Sequence, residues 1–221
     1  MKLESVDLLH SAVIVIDIQN DFCHENGIVS KDGKDVSFIQ RMVPEIPSFL
    51  SHVRQLDIPI IHVRTVHNEW TNSRSWLMRG AGIDVSEFLQ PGSWGAEFYQ
   101  VIPELGEYIV TKHRYTAFLD TDLDLVLRSL GIKTIVLIGL ATNVCVESTA
   151  RDGYNKDYYV VLVEDCVASF SIPEHQASLS TLEEYFGAVT TWQDLVKAWQ
   201  VGKKAHGKIG QGTALSNNQN R

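Results

Sequence analysis

Three reactive side chains in this 221-residue chain each follow a short apolar run. Asp17 closes Ala12–Ile16, Lys112 follows Tyr108–Val110, and Cys145 lies beyond Thr134–Ile138 and the Gly139 that interrupts it. Short apolar runs rich in β-branched residues read as buried strands. In a parallel sheet the carboxyl ends of the strands share one rim, so residues distant in sequence converge there. The trio has a coherent chemistry. A carboxylate beside a thiol takes its proton as general base. An ammonium beside both favours their ionised forms, and a thiol at a helix N-terminus is favoured as thiolate by the unpaired N–H groups and the macrodipole. The sulfur then attacks an electron-poor carbonyl to give a covalent intermediate, while backbone N–H groups hold the oxyanion. That is acyl transfer or hydrolysis. Each residue also has a plainer reading: Cys145 as a small buried hydrophobe, Asp17 as a turn residue, Lys112 as a solvated surface cation.

The elements that must position these groups alternate along the chain. Ile39, Met42, Val43, Ile46, Phe49, Leu50 and Val53 recur at helical spacing within 36–56, with Pro44 and Pro47 obscuring the start. Ile58–Val63 is a second strand, with His62 read as a packed core residue. Residues 65–107 form a long irregular region holding Trp70, Trp76, Trp94, Arg74 and Arg79, and such a loop in a compact domain lines or lids a site or meets another subunit. Arg74 and Arg79 read either as carboxylate ligands or as solvated surface charges. Asp122–Leu130 reads as a helix stopped by Gly131, and a second helix starts near Asn143, which puts Cys145 in its first turn. Tyr159–Val163 is a strand ending at Glu164-Asp165-Cys166; a helix over 173–186, a strand over 187–190 and a helix over 191–199 complete the pattern. The alternation implies α/β architecture: a mostly parallel sheet with helices on both faces. Residues 1–201 are read as one domain and 202–221 as a disordered tail or a vector-derived remnant.

Composition narrows the function. A net charge of −8 argues against nucleic acid and anionic membranes as partners. No apolar run approaches the ~20 residues that span a bilayer, and Met1–Asp7 lacks the apolar core of a signal peptide. Three cysteines make no disulfide framework, and no cysteine–histidine ladder suggests zinc, so a reduced, cytoplasmic protein is expected, with Cys23 and Cys166 structural. Glycines around Gly80-Ala-Gly82 and Gly92–Gly95 do not join a strand to a helix, so no dinucleotide or phosphate loop is implied. Phe22, Tyr115 and Phe118 flank the reactive positions and are candidates for a pocket wall or for simple packing.

Three stretches together, Val15-Ile-Asp17-Ile-Gln19-Asn20-Asp21-Phe22, Lys112-His-Arg114-Tyr115 and Gly139-Leu-Ala-Thr142-Asn-Val-Cys145-Val146, resemble the isochorismatase-like cysteine hydrolases, and the likeness runs from Ile14 to about Trp199. The resemblance implies a Rossmann-like fold with six parallel strands, a catalytic triad of Asp17, Lys112 and Cys145, and no cofactor. It also implies a cis peptide at Leu140–Ala141 and an oxyanion hole formed by the N–H groups of Ala141 and Cys145. A cysteine at the nucleophile position separates the chain from members that cleave isochorismate. The stretch Arg64–Trp70 lacks the Asp-Trp-His-Pro-x-x-His pattern that binds metal in nicotinamidases, so no metal is expected. Ala141–Thr149, Arg151-Asp-Gly153, Gly92-Ser-Trp94 and Glu164-Asp165 are similar to members acting on ureido or carbamoyl groups: ureidoacrylate amidohydrolases, biuret hydrolases and N-carbamoylsarcosine amidase. A small amide or ureido substrate, with C–N cleavage through a thioester, is implied, and so is a homodimer or homotetramer. Residues 68–90 depart from those members and leave the substrate open, with a nicotinamidase-like amide hydrolase as the alternative. Readings from other classes are a thiol redox sensor, which needs a resolving cysteine, and an inactive oligomeric binding protein.

Overall fold

The computed structural model describes Leu3, Asp7 and residues 9–79 and 86–213, with side chains left out at 79 and from 203 on. Six strands, β1 (Ser11–Ile16), β2 (Ile60–Thr65), β3 (Tyr108–Lys112), β4 (Thr134–Leu140), β5 (Tyr159–Ala168) and β6 (Gly187–Thr190), form one sheet in the order β3-β2-β1-β4-β5-β6. Every neighbouring pair is parallel, so the expected mostly parallel sheet is parallel throughout. The order reverses direction at β1 and β4, which makes the space above their carboxyl ends the switch point where open α/β sheets bind ligands.

Alternation along the central strands sorts the core into two layers. Val13, Val15, Val136, Ile138, Val161 and Val163 face one side, with Ile39 and Met42 of α3 (Ser37–Met42), Ile46, Phe49, Leu50 and Val53 of α4 (Glu45–Gln55), and Leu195, Val196 and Trp199 of the C-terminal helix. Ala12, Ile14, Ile16, Ile135, Leu137, Val160 and Leu162 face the other, against Leu123 and Leu127 of α6 (Leu123–Ser129), Ala150 of α7 (Glu147–Asn155) and Leu182 of α8 (Ile172–Tyr185). The period of two is what a sheet buried on both faces requires.

Several boundaries differ from the sequence reading, each for a local reason. The helix expected over 36–56 is broken at Pro44, which caps α4, because its ring supplies no N–H to continue the ladder of α3. The polar segment after Asp17 holds two short helices, α1 (Asn20–Cys23) and α2 (Ile28–Lys31), and the long irregular region holds α5 (Arg74–Arg79) and a 3-10 turn at Trp94–Ala96. Strand β5 continues through Glu164-Asp165-Cys166 to Ala168, pairing Val167 and Ala168 with the end of β4 beyond a register shift. The last helix, α9 (Trp192–Thr213), carries helical backbone well past the Gly202 at which a disordered tail was expected; 214–221 lie outside the described residues. Its anchored start, with Trp199 stacked on Phe49 at 6.1 Å, supplies the nucleus from which further turns propagate. Among the described residues no helix is long and apolar enough to cross a membrane.

Gly139 fixes the approach of β4 to β1. Its φ is +110°, and a Cβ there would lie 2.1 Å from the Ile16 carbonyl oxygen. Gly139→Ala therefore meets both a disfavoured backbone conformation and fixed backbone, one residue from Asp17. We expect a loss of about 3 kcal/mol or more, a fall in Tm on the order of 10 °C that thermal unfolding would register.

Candidate active site

The rim above β1, β2, β3 and β4 carries the three residues singled out in the sequence. Asp17 follows β1 with φ 55°, a left-handed conformation uncommon outside glycine, and its N–H donates to Val63 O. Lys112 is the last residue of β3, in register with Thr65, the last residue of β2. Cys145 sits in a π-helical turn, Thr142–Val146, that leads from β4 into α7. The peptide Leu140–Ala141 is cis. The Ala141 carbonyl accepts the N–H groups of Val144 and Val146 and passes over that of Cys145 between them. Such one-turn π distortions recur at functional sites.

The sheet brings the three sequence-predicted catalytic residues together. Lys112 Nζ lies 2.8 Å from Asp17 Oδ2 and 3.4 Å from Cys145 Sγ. It also donates to Thr65 Oγ1 at 2.6 Å and to Arg114 O at 3.1 Å. Three ammonium protons thus face four acceptors. Asp17 Oδ1 accepts a hydrogen bond from Thr65 Oγ1 at 2.8 Å, whereas buried Oδ2 has the ion pair but no aligned donor. That free lone pair is where a thiol proton can go, and the carboxylate is within hydrogen-bonding reach of Cys145.

The charges are held in a nearly dry setting: Asp17, Lys112 and Cys145 are 0%, 1% and 7% exposed. Burial works against the charge on Lys112, but Asp17 and then Cys145 outweigh it and raise its pKa above the ordinary lysine value. Burial pushes the Cys145 thiol up most strongly; Lys112 pulls it back, Asp17 pushes it up again, and the result is about 12. Desolvation thus outweighs the ammonium, which suits the expected role of a carboxylate that takes the thiol proton at the moment of attack.

Thr65 was missed in the sequence because the second strand was ended at Val63; a polar residue closing a buried strand is the same signal that marked Asp17 and Lys112. Its hydroxyl bridges the Asp17 carboxylate and the Lys112 ammonium. Thr65→Val keeps the shape but leaves Asp17 Oδ1 without a donor, and should lower kcat about 10- to 100-fold with KM little changed, measurable in steady-state kinetics with a melt as control.

The Gln19-Asn20-Asp21 motif is a set of buried clamps. Gln19 Oε1 accepts the Thr65 N–H while its Nε2 donates to Thr65 O and Ala96 O. Asn20 Nδ2 donates to Trp94 O, and Asp21 accepts the N–H groups of Ile28 and Leu89. Gly95 makes the last arrangement possible, since a Cβ there would sit 2.2 Å from the Asp21 carboxylate. Together these bonds fasten the irregular region to the rim. In the Lys112-His-Arg114 motif, His113 Nδ1 pairs with Val66 O and Arg114 donates to Thr71 O. The nucleophile turn is held by Thr142 Oγ1 against His175 Nδ1, by Ser178 Oγ donating to Thr142 O, and by Asn143 Nδ2 donating to Glu174.

The pocket candidates divide. Phe22 packs edge-on to Phe88 at 5.5 Å, beside Leu89 and Val29 on the loop side of the rim. Tyr115 is 48% exposed. Phe118 belongs to the core, stacked on Tyr158 at 5.9 Å beneath Lys156 and against Gly153, which is the packing role. Arg74 is exposed, and the side chain of Arg79 lies outside the described residues. Cys23 and Cys166 are buried and free, in the core layer on the sheet face opposite that of Cys145. A resolving thiol for the redox reading is therefore missing among the described residues. His62 is buried, with Nε2 on Glu107 at 2.8 Å, the core role expected of it.

The isochorismatase domain family matches residues 11–194. A ureidoacrylate amidohydrolase RutB of Enterobacter sp. (strain 638) is 33% identical over 208 residues, covering 86% of this chain and 89% of the relative. Among solved structures, a cysteine hydrolase from Pseudomonas syringae pv. phaseolicola 1448A superposes with a TM-score of 0.78 at 28% identity over 89% of this chain and 95% of the other. An N-carbamoylsarcosine amidase from Thermoplasma acidophilum does so with a TM-score of 0.68 at 26% identity over 82% and 96%.

Proposed function

Because this chain belongs to the isochorismatase domain family, we propose that it is a cysteine-dependent amidohydrolase that cleaves a C–N bond of a small amide, ureido or carbamoyl compound through a thioester. The observation that carries the reading is a single contact set: Lys112 Nζ within 2.8 Å of Asp17 Oδ2 and 3.4 Å of Cys145 Sγ, at the switch-point rim.

Asp17 Oδ2 takes the Cys145 proton as the sulfur attacks the carbonyl carbon. Lys112 offsets the negative charge that passes from carboxylate to sulfur to oxyanion. The N–H groups of Ala141 and Cys145 hold the oxyanion. Collapse breaks the C–N bond, and the nitrogen leaves with the proton held by Asp17. Water then gives its proton to Asp17 and attacks the thioester; the C–S bond breaks, and sulfur recovers the proton. One carboxylate thus serves as base, acid and base again.

Phe22 and Tyr115 are the pocket wall in this proposal. Exposed Trp70 and Met78, 89% and 69% accessible on one segment, give self-association into a dimer or tetramer an apolar surface to cover. Three unpaired thiols suit a reducing, cytoplasmic setting. The test is ammonia release from a panel of ureido acids, biuret, carbamoyl amino acids and nicotinamide. Turnover of ureido or carbamoyl members that requires Cys145 supports the proposal, and no turnover of any member refutes it.

A further inference from the structure

The reaction sequence above leaves a buried imidazole beside the nucleophile turn without a part. His175 is 7% exposed and lies in the first turn of α8. Its Nδ1 is 2.9 Å from the hydroxyl of fully buried Thr142, and Phe38 of α3 meets its ring edge-on at 5.1 Å. Burial lowers the His175 pKa, so at neutral pH the ring is uncharged and Nδ1 either donates to the Thr142 hydroxyl or accepts from it. Thr142 opens the π-helical turn and is held twice. Its hydroxyl meets His175, and its carbonyl accepts the Glu147 N–H and the Ser178 hydroxyl. Ser178 stands three residues after His175 on the same helix, and Glu174 holds Asn143, the next residue of the turn. The start of α8 thus fastens the start of the turn.

We propose that His175 is a positioning residue for the reaction: through Thr142 it holds in place the turn whose Ala141 and Cys145 N–H groups receive the oxyanion. The role rests on the amidohydrolase reading and deepens it with a side chain outside the triad. Thr142 directly follows Ala141 and precedes Cys145 by three residues, so a tilt of its backbone re-aims both donors. The turn also has a competing geometry. In an ordinary α-helix the Ala141 carbonyl would take the N–H of Cys145, four residues on. Here it takes those of Val144 and Val146 and passes over that of Cys145. Single π turns are uncommon and need support from their surroundings. The His175–Thr142 bond supplies it from another element. Without that bond the turn can relax toward the α pattern and spend the Cys145 N–H inside the helix. An oxyanion donor counts only when aimed where charge develops, and losing one costs about 10²–10³ in kcat.

Two reactions of the same sulfur separate aim from reactivity. Amide hydrolysis passes through an oxyanion, whereas alkylation by iodoacetamide displaces iodide from a saturated carbon and forms none. Hydrolysis is followed with the panel compound that the wild-type chain turns over fastest, and alkylation of Cys145 by mass spectrometry. His175→Leu should lower kcat about 10- to 100-fold with KM little changed. The rate of Cys145 alkylation should stay within about threefold of wild type, since Asp17 and Lys112 are untouched. His175→Asn, which returns a polar atom near the place of Nδ1, should recover part of kcat. Thr142→Val, nearly isosteric, should copy His175→Leu, and carries the test if that variant does not fold. The double variant should be no slower than the slower single, because both remove one bond. A kcat near wild type in Thr142→Val overturns the inference. So does alkylation that falls as far as kcat, which would put the defect in the sulfur, and so does a His175→Asn chain no faster than His175→Leu. A wild-type chain that hydrolyses nothing in the panel refutes the amidohydrolase reading itself, and this role falls with it.

Discussion

Cys145→Ala is expected to fold and to lose turnover by on the order of 10⁴-fold or more. The two halves of that expectation have separate causes. Sulfur is the only atom removed, at a position 7% exposed, so the cavity is small and the cost about 1 kcal/mol. Lys112 keeps its ion pair with Asp17 Oδ2 and its hydrogen bonds to Thr65 Oγ1 and Arg114 O, so the pair does not collapse. What disappears is the proposed nucleophile. Cys23 and Cys166 lie on the other face of the sheet. Steady-state rates, with a melting curve close to wild type, check both halves. Wild-type-like rates would end the nucleophile assignment, and an unfolded variant would show that the sulfur carries more of the packing than its contacts indicate.

The second large effect is on stability. Lys112→Met leaves the Asp17 carboxylate buried with one hydroxyl donor, and losing one partner of a buried pair costs about 3–5 kcal/mol. Asp17→Asn removes the opposing charge but leaves Lys112 its contacts with Thr65, Arg114 and Cys145, and should cost less. The double variant should recover part of the Lys112→Met loss, with a coupling of about 2 kcal/mol between the sites. Turnover should be lost in all three chains, since each lacks the base, its counter-charge or both. Denaturant unfolding gives the cycle directly. A coupling within about 0.5 kcal/mol of zero would mean that the pair is not energetically joined, whatever its separation.

The rim was legible because strand ends are legible. Apolar β-branched runs announced β1, β3 and β4, and the residues that close or follow them converge by the geometry of parallel sheets. Thr65 obeys the same rule but was hidden, because Arg64-Thr65 looks like a loop until the register with Thr111 and Lys112 shows that β2 extends that far. Glu164 hid the length of β5 in the same way, as an exposed carboxylate inside a strand. Gln19 and Asp21 belonged to a motif whose purpose sequence did not reveal, since their partners at Thr65, Ala96 and Leu89 are far along the chain. The opposition that burial sets against the Cys145 thiolate was not legible, for a physical reason. Helix ends and nearby lysines can be inferred from sequence, but the depth of burial that opposes them cannot.

The central claim is that the Cys145 sulfur carries the acyl group between bond cleavage and hydrolysis. Partitioning with hydroxylamine tests it most directly. Substrates that share an acyl part and differ in leaving amine are hydrolysed with hydroxylamine present, and the ratio of hydroxamate to hydrolysis product is measured. One thioester common to all of them predicts a single ratio, independent of the leaving group. A ratio that changes with the leaving amine would mean that water attacks the substrate itself, and would contradict the account.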